Sequence, residues 1–150
     1  MNMKKTTLYK VTILLLAVLL VCPVKADAVE ARASDYLTAY GAYMYPAGWG
    51  KVQVWFSVDG TNYMDEIGSL EIMLYESKDQ ETWTWVKTFE HQNDAGMLGY
   101  NNHYHTGHVE YNGTIGRYYK AYVCVWAGKN GQGDTRYFWT NIEKATLFAG

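Results

Sequence analysis

The stretch GRYYKAYVCVWAG, residues 116–128, decides the fold class. Tyr119, Ala121, Val123, Val125 and Ala127 fall at every second position, and Tyr118, Lys120, Tyr122, Cys124 and Trp126 fill the positions between them. Side chains alternate across a strand, so one face of this segment carries small apolar groups and one aromatic ring, and the other is largely aromatic. The first set suits a core and the second an outer surface. The flanking clusters YNGTIG and AGKNGQGD mark reversals, because Gly, Asn and Asp tolerate the backbone angles that turns require.

Outward from this segment the same period recurs. KVQVWFSV (51–58) sets Val52, Val54, Phe56 and Val58 against Lys51, Gln53, Trp55 and Ser57. SLEIMLYES (69–77) turns Leu70, Ile72 and Leu74 inward. ETWTWVKTFE (81–90) alternates Thr82, Thr84, Val86 and Thr88 with Trp83, Trp85, Lys87 and Phe89. SDYLTAYGAYMY (34–45), GHVEY (107–111) and DTRYFWTN (134–141) complete the set, with YPAGWG, VDGTN and SKDQE as further turns. No segment has the 3.6-residue period of an amphipathic helix. About seven short strands at this spacing predict an all-β chain folded as an antiparallel β-sandwich. EHQNDAGMLGYNN (90–102) is the longest connection and is expected to cross from one sheet to the other.

GRYYKAYVCVWA resembles the penultimate strand of fibronectin type III domains, where an inward Tyr begins an alternation of small apolar residues ending in Ala. The Gly116 turn just before it matches a tyrosine corner, in which the phenol bonds the backbone of the preceding loop. The inter-sheet cysteine pair of antibody domains has no counterpart. The resemblance therefore implies an immunoglobulin or fibronectin type III-like sandwich held by its core alone.

The first residues read as a targeting segment. Lys4, Lys5 and Lys10 precede the apolar run VTILLLAVLLV (11–21), and small residues follow at Ala26 and Ala28. The run is too short for a resident span, which needs about 20 apolar residues. The expected signal peptide is residues 1–26, with cleavage after Ala28 as the alternative. Cys22 leaves with it. A lipid attached to Cys22 is the competing reading, disfavoured by the bulky Val21 before it.

Removing 26 of 150 residues leaves 124, enough for one domain with one core. Nine of the thirteen basic residues then face all fifteen acids, a net charge of −6. An acidic chain without a Lys/Arg cluster argues against nucleic acid or an anionic membrane as partner. No second apolar stretch is long enough to span a bilayer, so release from the cell is expected. Cys124 is left as a lone thiol, read as a small apolar strand residue, with an intermolecular disulfide as the sharper alternative.

RASDYLTAY, VQVWFSVDGTNYMDEIGSLEIMLYES, TWTWVKTFE, VEYNGTIGRYYKAYV and GDTRYFWT follow one another in this order. Together they resemble a family of small secreted proteins of Gram-positive gut bacteria, the domain of unknown function family 6147. The most specific pieces are MDEIGSLEI (64–72) and GRYYKA. The resemblance spans residues 32–141 and implies compartment, bacterial origin and fold. It carries no activity and no catalytic residues.

Three groups of residues are candidates for function. His103, His105 and His108 lie close together in HYHTGHVEY. His103 and His105 on one strand face are about 7 Å apart. With His108 they would offer three imidazoles to a metal, provided a bulge at Gly107 turns His108 to the same side. Solvated histidines at the start of a strand are the plainer reading.

The second group is aromatic. The chain has six Trp, fourteen Tyr and four Phe, more than one small core takes up. Trp55 lies on the polar face of its strand. Tyr118, Tyr122 and Trp126 form a stripe on the outer face of theirs, with Tyr75 and an aromatic of YFW expected to flank it. Such a strip suits a glycan or a protein ligand, and cross-strand pairing is the structural alternative. The third group comprises Asp65, Glu66, Glu71, Glu76, Asp79, Glu81 and Asp94, for which solvated turn positions are expected rather than a catalytic pair or a calcium loop.

The overall expectation is a secreted, non-catalytic binding domain with no cofactor, taking a protein or a glycan. The competing expectation is a metal-dependent factor or small enzyme built on residues 103–108.

Overall fold

A single 27-residue strand, Lys51–Ser77, organises the chain. The computed structural model describes residues 34–150. The expected signal peptide, residues 1–26, and residues 27–33 lie outside the described residues. The strands are β1 (Leu37–Gly48), β2 (Lys51–Ser77), β3 (Thr84–Glu90), β4 (Leu98–Asn112), β5 (Tyr118–Lys129), β6 (Gln132–Trp139) and β7 (Glu143–Lys144). Every pairing is antiparallel and all seven strands belong to one hydrogen-bonded sheet. Among the described residues there is no helix, and so none long and apolar enough to cross a membrane.

Register explains the architecture. The first half of β2 lies between β1 and β4, which face it at Lys51–Gly60 and Lys51–Gly68. The second half lies between β5 and β3, at Glu66–Ser77 and Glu71–Glu76. At Glu66, Ile67 and Gly68 both β4 and β5 are in register, one on each side. It follows that β4 and β3 share one flank of β2, while β1 and β5 share the other.

Two expectations of strand layout need correction. The segments 51–58 and 69–77, read as two strands with VDGTN as a reversal, are one strand. Asp59 faces Tyr104 and Met64 faces Asn102, so residues 60–63 bulge opposite His103 alone. The turn-forming residues serve this bulge: Thr61 donates its amide to Tyr36 O at 3.0 Å and its hydroxyl to Asp35 O at 2.7 Å. The connection 90–102 does not cross between sheets. Its first part is a short excursion, and residues 98–102 already belong to β4, so β4 resumes on the flank where β3 ended. The excursion is tied back by Ser69 N to Met97 O (2.9 Å) and His91 N to Leu70 O (3.1 Å). The strand count of seven survives only because β7 adds a pair that periodicity does not reveal.

Bulges also redirect side chains. Register shifts between Ser69 and Glu71, which leaves Leu70 outside the core. A second shift sets Leu74 opposite Lys87 but Tyr75 opposite Trp85, so Val86 is the extra residue of β3. Phe89 therefore turns inward and is 6% exposed, whereas Trp85, expected on the same face, is 56% exposed.

The core draws on both halves of β2. Val52, Val54, Phe56, Val58, Ile72 and Leu74 pack in one cluster with Tyr119, Ala121, Val123, Val125 and Ala127. All five inward residues of β5 are fully buried, as their alternation predicts. Each large aliphatic among them contributes about 1.5–3 kcal/mol by leaving water. Val109 and Tyr111 of β4 also face this core.

The β5–β6 hairpin turns on Asn130 (φ 53°) and Gly131 (φ 74°). Two consecutive positive φ values match the right-handed twist of a hairpin, and Asn-Gly adopts them at least cost. Asp65 accepts the Asn130 amide at 2.7 Å and holds this turn to β2.

Candidate functional site

The outer face of β3, β2, β5 and β6 is a ruled array of side chains. In one row Trp85, Tyr75 and Lys120 lie side by side. In the next come Thr88, Met73, Tyr122 and Trp139, and in the third Glu90, Glu71, Cys124 and Tyr137. The rings touch. Tyr75 and Trp139 are 5.3 Å apart, Tyr122 and Trp139 4.9 Å, Tyr122 and Tyr137 5.7 Å. Each such pair adds roughly 0.5–1.5 kcal/mol beyond burial. The Lys120 ammonium sits 4.2 Å from the Trp83 ring centroid and 4.4 Å from that of Trp139.

The rings are held in place. The Trp85 indole donates to Thr88 Oγ1 at 2.9 Å and the Trp83 indole to Gln80 O at 3.0 Å. Trp85, Tyr137 and Trp139 remain about half exposed. Cys124 points to this outer face, as its position in the alternation predicts, yet is 4% exposed, and burial pushes its thiol pKa up.

Of the aromatic candidates, Tyr75 and Tyr122 join this array. Tyr118, Tyr122 and Trp126 do not form an open flat strip: all three are half-buried, each against a different neighbour. Tyr118 has Lys144 Nζ 5.2 Å over its ring. Trp126 folds over the β5–β6 hairpin, so close that a Cβ at Gly133 would come within 2.5 Å of it. Trp55 belongs to the first half of β2, where it stacks on His108 at 4.4 Å and donates to Gln53 at 2.9 Å.

Periodicity leaves Trp83, Trp85 and Lys120 out of the site and expects one unspecified aromatic of YFW beside it, where the structure places two, Tyr137 and Trp139. The alternations TWTW and YFW carry the signal, but only register selects among them. Phe138 of the same triplet goes inward, 5.2 Å from Tyr40.

The three histidines point to three places. His105 Nε2 lies 2.9 Å from Gly96 O, and its ring is 5.9 Å from Phe56. His103 meets the edge of Tyr63 at 5.4 Å. His108 pairs with Trp55 in unbroken register, without the bulge at Gly107 that would bring it to the side of His105. Among the described residues no three His, Cys, Asp or Glu side chains come together as a metal-binding group.

The acids are engaged locally. Asp79 accepts from the amides of Glu81 and Thr82 and from the Ser77 hydroxyl, and these bonds hold its carboxyl below the usual range. Asp94 accepts the Glu90 amide at 2.9 Å. A cleft of about 460 Å³ is lined by Glu76, Asp79, Thr82, Thr84, Val86 and Arg117, among others. Neither of its carboxylates is uncommitted, since Glu76 takes the Tyr119 hydroxyl and faces Arg117 at 4.0 Å.

A separate group of exposed apolar side chains lies at the β1–β2 turn, with Trp49 80% and Phe148 75% exposed. No protein-family model matches the chain, and no curated protein matches it.

Proposed function

We propose that this protein is a secreted, non-catalytic binding module that holds a glycan on the outer face of β3, β2, β5 and β6. The observation that carries this reading is the layer of half-exposed Trp85, Tyr137 and Trp139, the last two seated against Tyr75 and Tyr122. Aromatic faces carry partial negative charge and attract the polarised C–H groups of a sugar ring. The rings are fixed by their own hydrogen bonds and contacts, so little freedom is lost when a ligand arrives. Three strand spacings and four residue steps make a patch about 14 Å on a side, on the order of 200 Å². That suits two or three linked sugars and falls well short of the roughly 800 Å² per partner of a stable protein interface.

The same proposal includes an immunoglobulin or fibronectin type III-like sandwich, whose two layers are carried by the two halves of β2. The single core shared by both halves supports it, as does the Tyr119 hydroxyl, which accepts the Thr114 amide at 2.8 Å in the manner of a tyrosine corner. Membership of the secreted Gram-positive family rests on the sequence resemblance alone, and secretion on the apolar run and small residues of positions 1–28.

The test is a glycan array probed with the purified protein, with and without chelator. Binding should survive chelator and be lost in Trp139→Ala and Trp85→Ala, with the β-sheet circular dichroism unchanged. If no glycan is retained, or chelator abolishes binding, the reading fails. Capture of a protein through the same face would replace the glycan.

A further inference from the structure

We infer that the glycan carries an acidic sugar, such as a uronic or sialic acid, whose carboxylate is received by Lys120. This deepens the glycan reading and rests on it. Among the described residues the ion pairs are Lys51–Glu110 and Arg117–Glu76, so the Lys120 ammonium has no carboxylate partner. It is held over the rings of Trp83 and Trp139, which steady a cation without occupying its N–H donors. No hydrogen bond within the described chain uses those donors, and no buried side-chain polar atom lacks a partner, so the ammonium keeps access to solvent. A half-buried cation flanked by two indoles, with three free donors, is matched by an anion that brings an apolar ring face with it.

The surrounding charges set the direction of the ligand. Glu71 and Glu90 face each other in the third row, four residues along β5 from Lys120, about 13 Å at strand rise. They repel a carboxylate at that end and accept hydroxyl protons there. The acidic sugar therefore sits at Lys120 between Trp83 and Trp139, and the neutral sugars run toward Tyr137.

The test uses matched probes that differ in charge: trigalacturonic acid with its methyl ester, and sialyllactose with lactose. Affinities are measured by titration on the purified protein at low salt. At least one acidic probe should bind about tenfold tighter than its neutral partner, the value of one charge-assisted contact. Lys120→Met keeps the apolar stem and should erase that preference while weak neutral binding remains. Lys120→Arg should restore it, and Trp139→Ala should remove binding of both members. Equal affinity within each pair, or a preference that persists in Lys120→Met, overturns the assignment of Lys120 while leaving the aromatic face as a neutral-glycan site. Absence of all four affinities overturns both readings, and binding of an acidic peptide in their place assigns Lys120 to a protein ligand.

Discussion

The hydroxyl of Tyr119 donates to the Glu76 carboxylate and accepts the Thr114 amide, joining β5, β2 and the turn before β5 at one atom. The Tyr119 ring is fully buried. Burial, followed by the neighbouring Glu76, pushes the phenol from 10.0 up to about 12. In Tyr119→Phe the ring stays but two groups lose a partner, so stability should fall by about 1–3 kcal/mol in urea titrations at pH 7. The pH dependence has a definite sign. A raised folded pKa gives stability that is intact below pH 10 and lost as pH rises through about 12. The wild type should therefore lose stability more steeply over this window than Tyr119→Phe. Parallel curves for the two proteins would contradict the assignment.

Gly68 marks the place where β2 has β4 on one side and β5 on the other. Its φ is +146°, and a Cβ there would lie 2.2 Å from the Met97 carbonyl oxygen. Since that oxygen also accepts the Ser69 amide, it has nowhere to move. Gly68→Ala should cost about 3 kcal/mol or more, or prevent folding, as read by chemical denaturation.

Asp79 organises the β2–β3 turn through two amides and one hydroxyl. Those bonds lower its pKa below 3.8, so the stability they give is present above that value and is lost as pH falls through the lower folded pKa. Asp79→Ala should have a lower melting temperature than the wild type at pH 7. The gap should close as both are acidified below the ordinary carboxylate range. A gap that stays constant down to pH 2 would point to backbone strain in the variant instead.

Separate partners for His103, His105 and His108 leave them without a common centre. Zinc titration by native mass spectrometry should show no tight one-to-one complex, and His105→Ala should leave that result unchanged. A stoichiometric complex lost in His105→Ala would mean that the strand rearranges around metal.

Fold and face are separable by substitution. Ile72→Ala empties a fully buried position and should cost about 2–5 kcal/mol. Trp85→Ala removes a half-exposed ring and should cost less than about 1 kcal/mol, while removing glycan retention. Comparable losses of stability would place Trp85 in the core rather than on a binding face.

Local pattern along the chain sets the strand content, the inward residues of β5 and the first half of β2, and the turn before Tyr119. All of these follow from period two and from turn chemistry, which act within a few residues. Tertiary structure alone decided that 51–58 and 69–77 are one strand, because Gly and Asn suit a bulge as well as a reversal. It also decided which aromatics share a face. The extra residue Val86 sends Phe89 inward and Trp85 outward, and register with β5 picks Tyr137 and Trp139 over Phe138. Lys120 reads in the sequence as one polar residue in an aromatic strand. Its position between Trp83, just ahead of β3, and Trp139 exists only once β3, β2, β5 and β6 are hydrogen-bonded in register, a long-range relation that no local pattern encodes.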